Sequence, residues 1–171
     1  MAITDDTLLD PSIDRRLAVD LDASESDRLT AYLDTLGNWT CGRGHLMPPA
    51  APGRSWEGFT VVQTTSDRWF STDIMNAIQL ASKWPEFASC DTECRKNALY
   101  ELAFNMAHKW EKWGPTRALI TAKDWRGVHD HLLSSLWARE VQPHGVKDSN
   151  GADLPGRATR IANYFLSGEY P

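Results

Sequence analysis

The sequence predicts a mainly α protein, with five or six helices and one short β-strand or hairpin at about residues 56–70. Apolar residues recur at helical spacing through most of the chain, and capping or stop signals bound these stretches. The run from Phe59 to Thr65 is instead rich in β-branched and aromatic residues, and a Ser66-Asp67 turn follows it. Because predicted helices outnumber the single predicted strand or hairpin, the fold class is predicted to be mainly α.

The first predicted elements lie before the strand. Residues 1–21 are a polar N-terminal segment with one short helix, and residues 22–171 are expected to form a single mostly helical domain. Asp22 or Ser24 can cap a second helix, which Gly37 would end. The apolar face of this helix would be formed by Leu29, Tyr32, Leu33 and Leu36.

Four further helices are predicted after the strand. Each has a polar capping residue near its start and a proline or glycine near its end, or an apolar stripe of helical period. They span about residues 72–83, 92–113, 121–141 and 153–167. Their apolar stripes are expected to form the core of the domain.

Composition and charge exclude several classes of protein. The net charge of −5 argues against a broad surface that coats nucleic acid, although a local basic cleft remains open. Residues 1–36 hold nine acidic and three basic residues, a net charge of −6. No apolar run is long enough for a membrane span, and no secretory signal is seen, so a cytoplasmic protein is expected.

Eight tryptophans are an unusually large number for 171 residues. Tryptophan is large and carries an N–H that needs a partner when it is buried. The tryptophans can be aromatic anchors of a helical core, or a few of them can line a pocket for an aromatic ligand or a nucleic-acid base. Both interpretations stay open at this point.

The segment from Cys41 to Ala50 is the main candidate for a functional loop. It holds a cysteine, an arginine, a histidine, two glycines and two prolines, without a hydrophobic period. Glycine and proline favour irregular backbone, and functional side chains are often carried on such loops. Alternatively, Gly-Arg-Gly-His is a turn whose Arg43 and His45 only bond to nearby carbonyls.

Within this loop, Arg43-Gly44-His45-Leu46-x-Pro48-x-Ala50 resembles the motif of the DNA/RNA non-specific endonucleases, the ββα-metal, endonuclease G-like family. The resemblance implies metal-dependent phosphodiester hydrolysis with His45 as general base and Arg43 orienting the substrate. It also implies one Mg²⁺, with Asn76 as the first choice of ligand and with Asp73 and Asn97 as competing candidates. A hard divalent cation suits phosphoryl oxygens, and neutral imidazole can accept a proton from water.

A structural zinc site is an alternative use of the same histidine. Cys41 and His45 are separated by three residues, as are Cys90 and Cys94. These four side chains match a tetrahedral Cys₃His set in number. A Cys90–Cys94 disulfide and free buried thiols are the other possibilities.

Three functions follow from these observations. The leading hypothesis is a magnesium-dependent nuclease acting on nucleic acid. The second is a non-catalytic protein that binds another protein through its acidic N-terminal segment and tryptophans. The third is a small tailoring enzyme with a tryptophan-lined pocket for an aromatic ligand.

Overall fold

The computed structural model describes residues 9–34, 36–141, 146–147, 153–154 and 156–171. This part of the chain is 58% helical and contains seven α-helices and a small three-stranded antiparallel sheet, so the predicted mainly α class is confirmed. The helices are α1 (Arg15–Asp22), α2 (Gln63–Ala81), α3 (Glu93–Met106), α4 (Gly114–Thr121), α5 (Trp125–Ser134), α6 (Leu136–Val141) and α7 (Arg157–Ser167). The strands are β1 (Asp27–Leu33), β2 (Trp39–Arg43), β3 (His45–Leu46), β4 (Val146–Lys147) and β5 (Asp153–Leu154).

The chain divides into two compact units, Met1–Met75 and Asn76–Pro171. The first unit contains the three-stranded sheet, in the order β1-β2-β3 with antiparallel neighbours. One side of the sheet covers a small core of Ala31, Cys41 and Met47. Tryptophan side chains from the sheet, the following loop and α2 pack against this core, which gives the unit its aromatic content.

The position of the sheet corrects the prediction of a helix over residues 22–36. Leu29, Tyr32 and Leu33 fit a helical stripe, but the burial of β1 alternates and Ala31 faces the core. Leu33 pairs with Trp39, and Tyr32 pairs with Thr40. These partners lie beyond Gly37 in sequence, so local periodicity could not reveal them.

The predicted strand at 59–65 is only partly present, because Gln63, Thr64 and Thr65 already belong to α2. Its first residues lie beside β1: Ala31 N–H donates to the Phe59 carbonyl at 2.8 Å, and Val61 N–H donates to the Leu29 carbonyl at 2.9 Å. Thr30 and Thr60 form an isolated antiparallel bridge. Helix α2 then begins at Gln63, nine residues before the predicted start at 72.

The second unit is a helical bundle arranged around α7. This helix packs against α3, α5 and α6, and its core-facing side chains are almost fully buried. The predicted helix at 92–113 ends as an α-helix at Met106 and continues as a 3₁₀ helix, Ala107–Lys112. The predicted helix at 121–141 is divided into α5 and α6, because the backbone of Ser135 between them is extended.

All eight tryptophans pack within or against these two cores. Trp39, Trp56 and Trp69 contact the core of the first unit. The other five contact the core of the second: Trp84, Trp110, Trp113, Trp125 and Trp137. Their number thus reflects packing.

Among the helices of the described residues, none has the length and apolar character needed to cross a membrane.

Candidate active site

A tight hairpin turn between β2 and β3 is the centre of the candidate site. Gly42 and Gly44 both have positive φ, at 62° and 78°. A Cβ at Gly42 would lie 2.7 Å from Ser66 Oγ, and a Cβ at Gly44 would lie 3.1 Å from Glu25 Oε2. Both positions therefore favour glycine for its backbone conformation and for the close approach of a polar group. The turn brings the Glu25 carboxylate against the backbone of the hairpin.

His45, the predicted general base, is held by two side chains of α2. Its Nδ1 lies 2.8 Å from Asp73 Oδ2, and about a quarter of each side chain is exposed. The imidazole also stacks on Trp69, with ring centroids 4.4 Å apart and planes inclined by 20°. The structure thus brings His45 and Asp73 together as a hydrogen-bonded pair within the first unit.

Arg43, predicted to orient a substrate, is buried at 1% exposure. Its Nε lies 2.6 Å from Asp22, its Nη1 2.7 Å from Asp67, and its Nη2 3.4 Å from Asp27. Burial alone would lower the pKa of Arg43, but the hydrogen bond to Asp67 and the charges of Asp22 and Asp27 leave it raised. The predicted contact with substrate is corrected, because the guanidinium faces these carboxylates instead of solvent.

The proposed metal ligands do not assemble into a site in the described part of the chain. Asn76 is exposed on α2, and Asp73 bonds to His45. No group of three or more histidine, cysteine, aspartate or glutamate side chains there has an arrangement that could hold a metal ion.

The three cysteines are buried and not disulfide-bonded, so the Cys90–Cys94 bridge is not formed, and within the described residues the predicted zinc ligands do not come together. Cys41 Sγ lies 3.4 Å from the Leu29 carbonyl, and Cys94 Sγ lies 3.9 Å from the Tyr164 carbonyl. Burial raises the pKa of the Cys90 thiol to about 12. These residues behave as small apolar groups of the cores.

Two carboxylates at the ends of β1 were missed by the sequence-based interpretation. Glu25 precedes the strand and is half-buried beside Gly44, and Asp34 follows the strand. The helix predicted over 22–36 placed both on an ordinary polar face. A signal was present: Glu25 and Asp34 lie nine residues apart around an alternating stretch, and a glycine turn follows.

Asp34 is held in its ionised form by the turn that joins β1 to β2. Its Oδ1 accepts the backbone N–H groups of Asn38 and Leu36, each at 2.8 Å. The hydrogen bond from the Asn38 backbone is the main cause that lowers the pKa of Asp34, assisted by the Asn38 side chain. Thr40, which lies in β2 two residues after Asn38, is nearly fully buried.

Comparison with known families identifies the fold that carries this arrangement. The family model described as phage lysozyme matches residues 22–160, which is most of the chain. The chain belongs to the phage lysozyme family. No curated protein matches it.

Membership of the phage lysozyme family overturns the functions predicted from the sequence. The resemblance of residues 43–50 to the non-specific endonucleases is wrong, because the lysozyme match runs through this segment and far beyond it. Metal-dependent phosphodiester hydrolysis is wrong for the same reason. The non-catalytic binding protein and the tailoring enzyme do not fit a lysozyme family either. Ten residues with two glycines and a histidine were too short a basis for identifying a family.

Proposed function

We propose that the chain hydrolyses glycosidic bonds of bacterial peptidoglycan, with Glu25 and Asp34 as its two carboxylates. The match to the phage lysozyme family supports this class of substrate. The observation that carries the assignment of residues is the position of the Glu25 carboxylate, which lies against the glycine turn at one end of β1. Asp34 lies just beyond the other end.

The two carboxylates have different roles in this chemistry. Glycosidases use one carboxylic acid to protonate the leaving oxygen, while a second carboxylate stays ionised and acts as a base or as a nucleophile. Asp34 suits the ionised role, because donated N–H groups lower its pKa. Glu25 then takes the role of proton donor to the leaving sugar oxygen.

The other acidic residues near the hairpin are committed to structural contacts. Asp22, Asp27 and Asp67 surround Arg43, and Asp73 bonds to His45. The oxygens of these carboxylates are occupied by contacts within the protein, which leaves them poorly placed to contact a sugar. His45 in this account supports the turn through Asp73 and does not act as a base.

The assignment predicts the effect of replacing each carboxylate by its amide. Glu25→Gln removes the donated proton and should lower the rate of peptidoglycan hydrolysis by at least about 10²-fold. Asp34→Asn removes the ionised group and should have an effect of similar size. Activity is measured as clearing of a purified peptidoglycan suspension, with circular dichroism to show that each variant is folded.

Glu57→Gln is the matched control, because Glu57 is exposed in the loop before α2. It makes the same chemical change as Glu25→Gln and should leave the rate as in the wild-type protein. A folded Glu25→Gln variant with wild-type activity would remove Glu25 from the mechanism. No hydrolysis by the wild-type protein would contradict the proposed function itself.

A further inference from the structure

The buried Arg43 cluster holds both ends of the connection that carries Glu25. Asp22 is the last residue of α1, Asp27 is the first residue of β1, and Glu25 lies in the short connection between them. Arg43 Nε reaches Asp22, and Arg43 Nη2 reaches Asp27. The guanidinium therefore fixes the connection on both sides of Glu25.

The same arginine also fixes the surface against which Glu25 lies. Arg43 immediately precedes Gly44, the glycine whose backbone the Glu25 carboxylate approaches. Arg43 is 1% exposed, and its guanidinium lies over the Phe70 ring, with the central carbon 5.3 Å from the ring centroid. The buried Arg43 side chain thus links the turn to the Glu25 connection.

Two polar side chains of α2 complete the cluster. Gln63 Nε2 donates to Asp27 at 2.7 Å and to Asp67 at 3.0 Å, and Ser66 Oγ donates to Asp27 at 2.8 Å. These neutral donors add to the Arg43 guanidinium, which faces three carboxylates. The planar guanidinium directs donors to three carboxylates at once, which the ammonium group of a lysine cannot do equally well.

We infer that Arg43 is a positioning residue for glycosidic cleavage, acting by holding Glu25 against the Gly42–Gly44 turn. This inference rests on the proposed function. Arg43 itself does not contact the substrate, since it is buried beneath the turn. Its removal should displace the Glu25 carboxylate, and a displacement of about 1 Å can cost about 10²-fold in rate.

The test compares kcat and KM of Arg43→Met and Arg43→Lys on peptidoglycan fragments, at a temperature where circular dichroism shows each protein folded. Arg43→Met should lower kcat by about 10²-fold and leave KM nearly unchanged, because only the reacting carboxylate moves. Arg43→Lys should recover part of kcat, since its cation can hold some of the aspartates.

Arg117→Met is the control for loss of stability alone. Arg117 pairs with the buried carboxylate of Glu86 at 2.8 Å in the second unit. This variant should lower the thermal midpoint and leave kcat as in the wild-type protein. If Arg43→Met has wild-type kcat, or if Arg117→Met lowers kcat equally, Arg43 is not a positioning residue.

Two aspartate variants keep the test decisive if Arg43→Met does not fold. Asp22 is adjacent to the Glu25 connection, whereas Asp67 lies on α2. Asp22→Asn should therefore lower kcat by about 10-fold, and Asp67→Asn should have a clearly smaller effect. Equal effects would overturn the inference. Inactivity of the wild-type protein would overturn the proposed function, whereas an Arg43→Met variant with wild-type kcat would overturn only the role of Arg43.

Discussion

His45 combines a charge-assisted hydrogen bond and a ring stack within one side chain. Asp73 accepts from its Nδ1, and Trp69 covers one face of its ring. Three residues from β3 and α2 are thereby connected across the first unit. Such a contact is better suited to hold the hairpin on α2 than to exchange protons with a substrate.

The His45–Asp73 pair leads to a prediction for stability. Asp73→Asn should lower the free energy of unfolding by about 1.5–3 kcal/mol, because a half-buried charge-assisted hydrogen bond is lost. Urea unfolding monitored by circular dichroism measures the change. Asp130→Asn is the control: Asp130 contacts His129 but its side chain is 64% exposed, so the loss should be below about 0.5 kcal/mol. Equal losses in the two variants would contradict the prediction.

The Asp34 turn leads to a prediction for pH dependence. Hydrogen bonds from the Asn38 backbone lower the pKa of Asp34 below the 3.8 of an ordinary aspartate. The ionised carboxylate therefore stabilises the fold above that pH, and this contribution is lost as the pH falls through the lowered pKa. Asp34→Asn should be less stable than the wild-type protein at neutral pH.

The stability difference should shrink as the pH falls below about 3.8. Urea unfolding of both proteins between neutral and strongly acidic pH measures this difference. A difference that grows on acidification would show that the carboxylate is not held ionised by the turn.

At the scale of single elements, the end of α7 shows how one side chain can terminate a helix. Gly168 has a positive φ of 71°, and its N–H donates to the Tyr164 carbonyl at 3.0 Å. Arg95 Nε donates to the Phe165 carbonyl at 2.9 Å and its guanidinium lies over the Trp125 ring. The last carbonyls of α7 are thus satisfied by a side chain from α3.

This helix end predicts a large cost for Gly168→Ala. A Cβ at Gly168 would lie 2.8 Å from the Arg95 guanidinium carbon, and the left-handed backbone itself costs an alanine roughly 1–2 kcal/mol. Gly53→Ala is the control, because Gly53 has φ of 73° but no atom within 4 Å of its Cβ. Thermal unfolding should show a greater loss for Gly168→Ala. Equal losses would mean that Arg95 moves aside without cost.

The elements differ in how well the sequence predicted them. The end of α7 at Gly168 follows from a glycine after an apolar stripe, and it is found where predicted. Strand β1 was predicted as helix, because the spacing of its apolar residues fits the helical period as well as the alternating period of a strand. Its partners in β2 lie beyond the turn in sequence. A local glycine signal thus predicted the end of α7, whereas pairing between distant strands could not be derived from such signals.

At the scale of the whole molecule, the same error concealed the candidate site. The segment around His45 was predicted to be a functional loop from its glycines and its histidine; the structure forms a hairpin there and places Glu25 against it. Glu25 and Asp34 were missed because a helix over 22–36 leaves them on a solvated face. The acidic N-terminal stretch was interpreted as a docking surface, yet Asp22 and Asp27 form the ion cluster around Arg43.

The proposed function requires cleavage of the glycan strand, and the reaction products show which bond is broken. Purified peptidoglycan is digested, the products are reduced with borohydride, and the fragments are identified by mass spectrometry. Hydrolysis by the wild-type protein should create new reducing sugar ends, and Glu25→Gln should create almost none. Fragments cut only in the peptide stems, with intact glycan strands, would contradict the account.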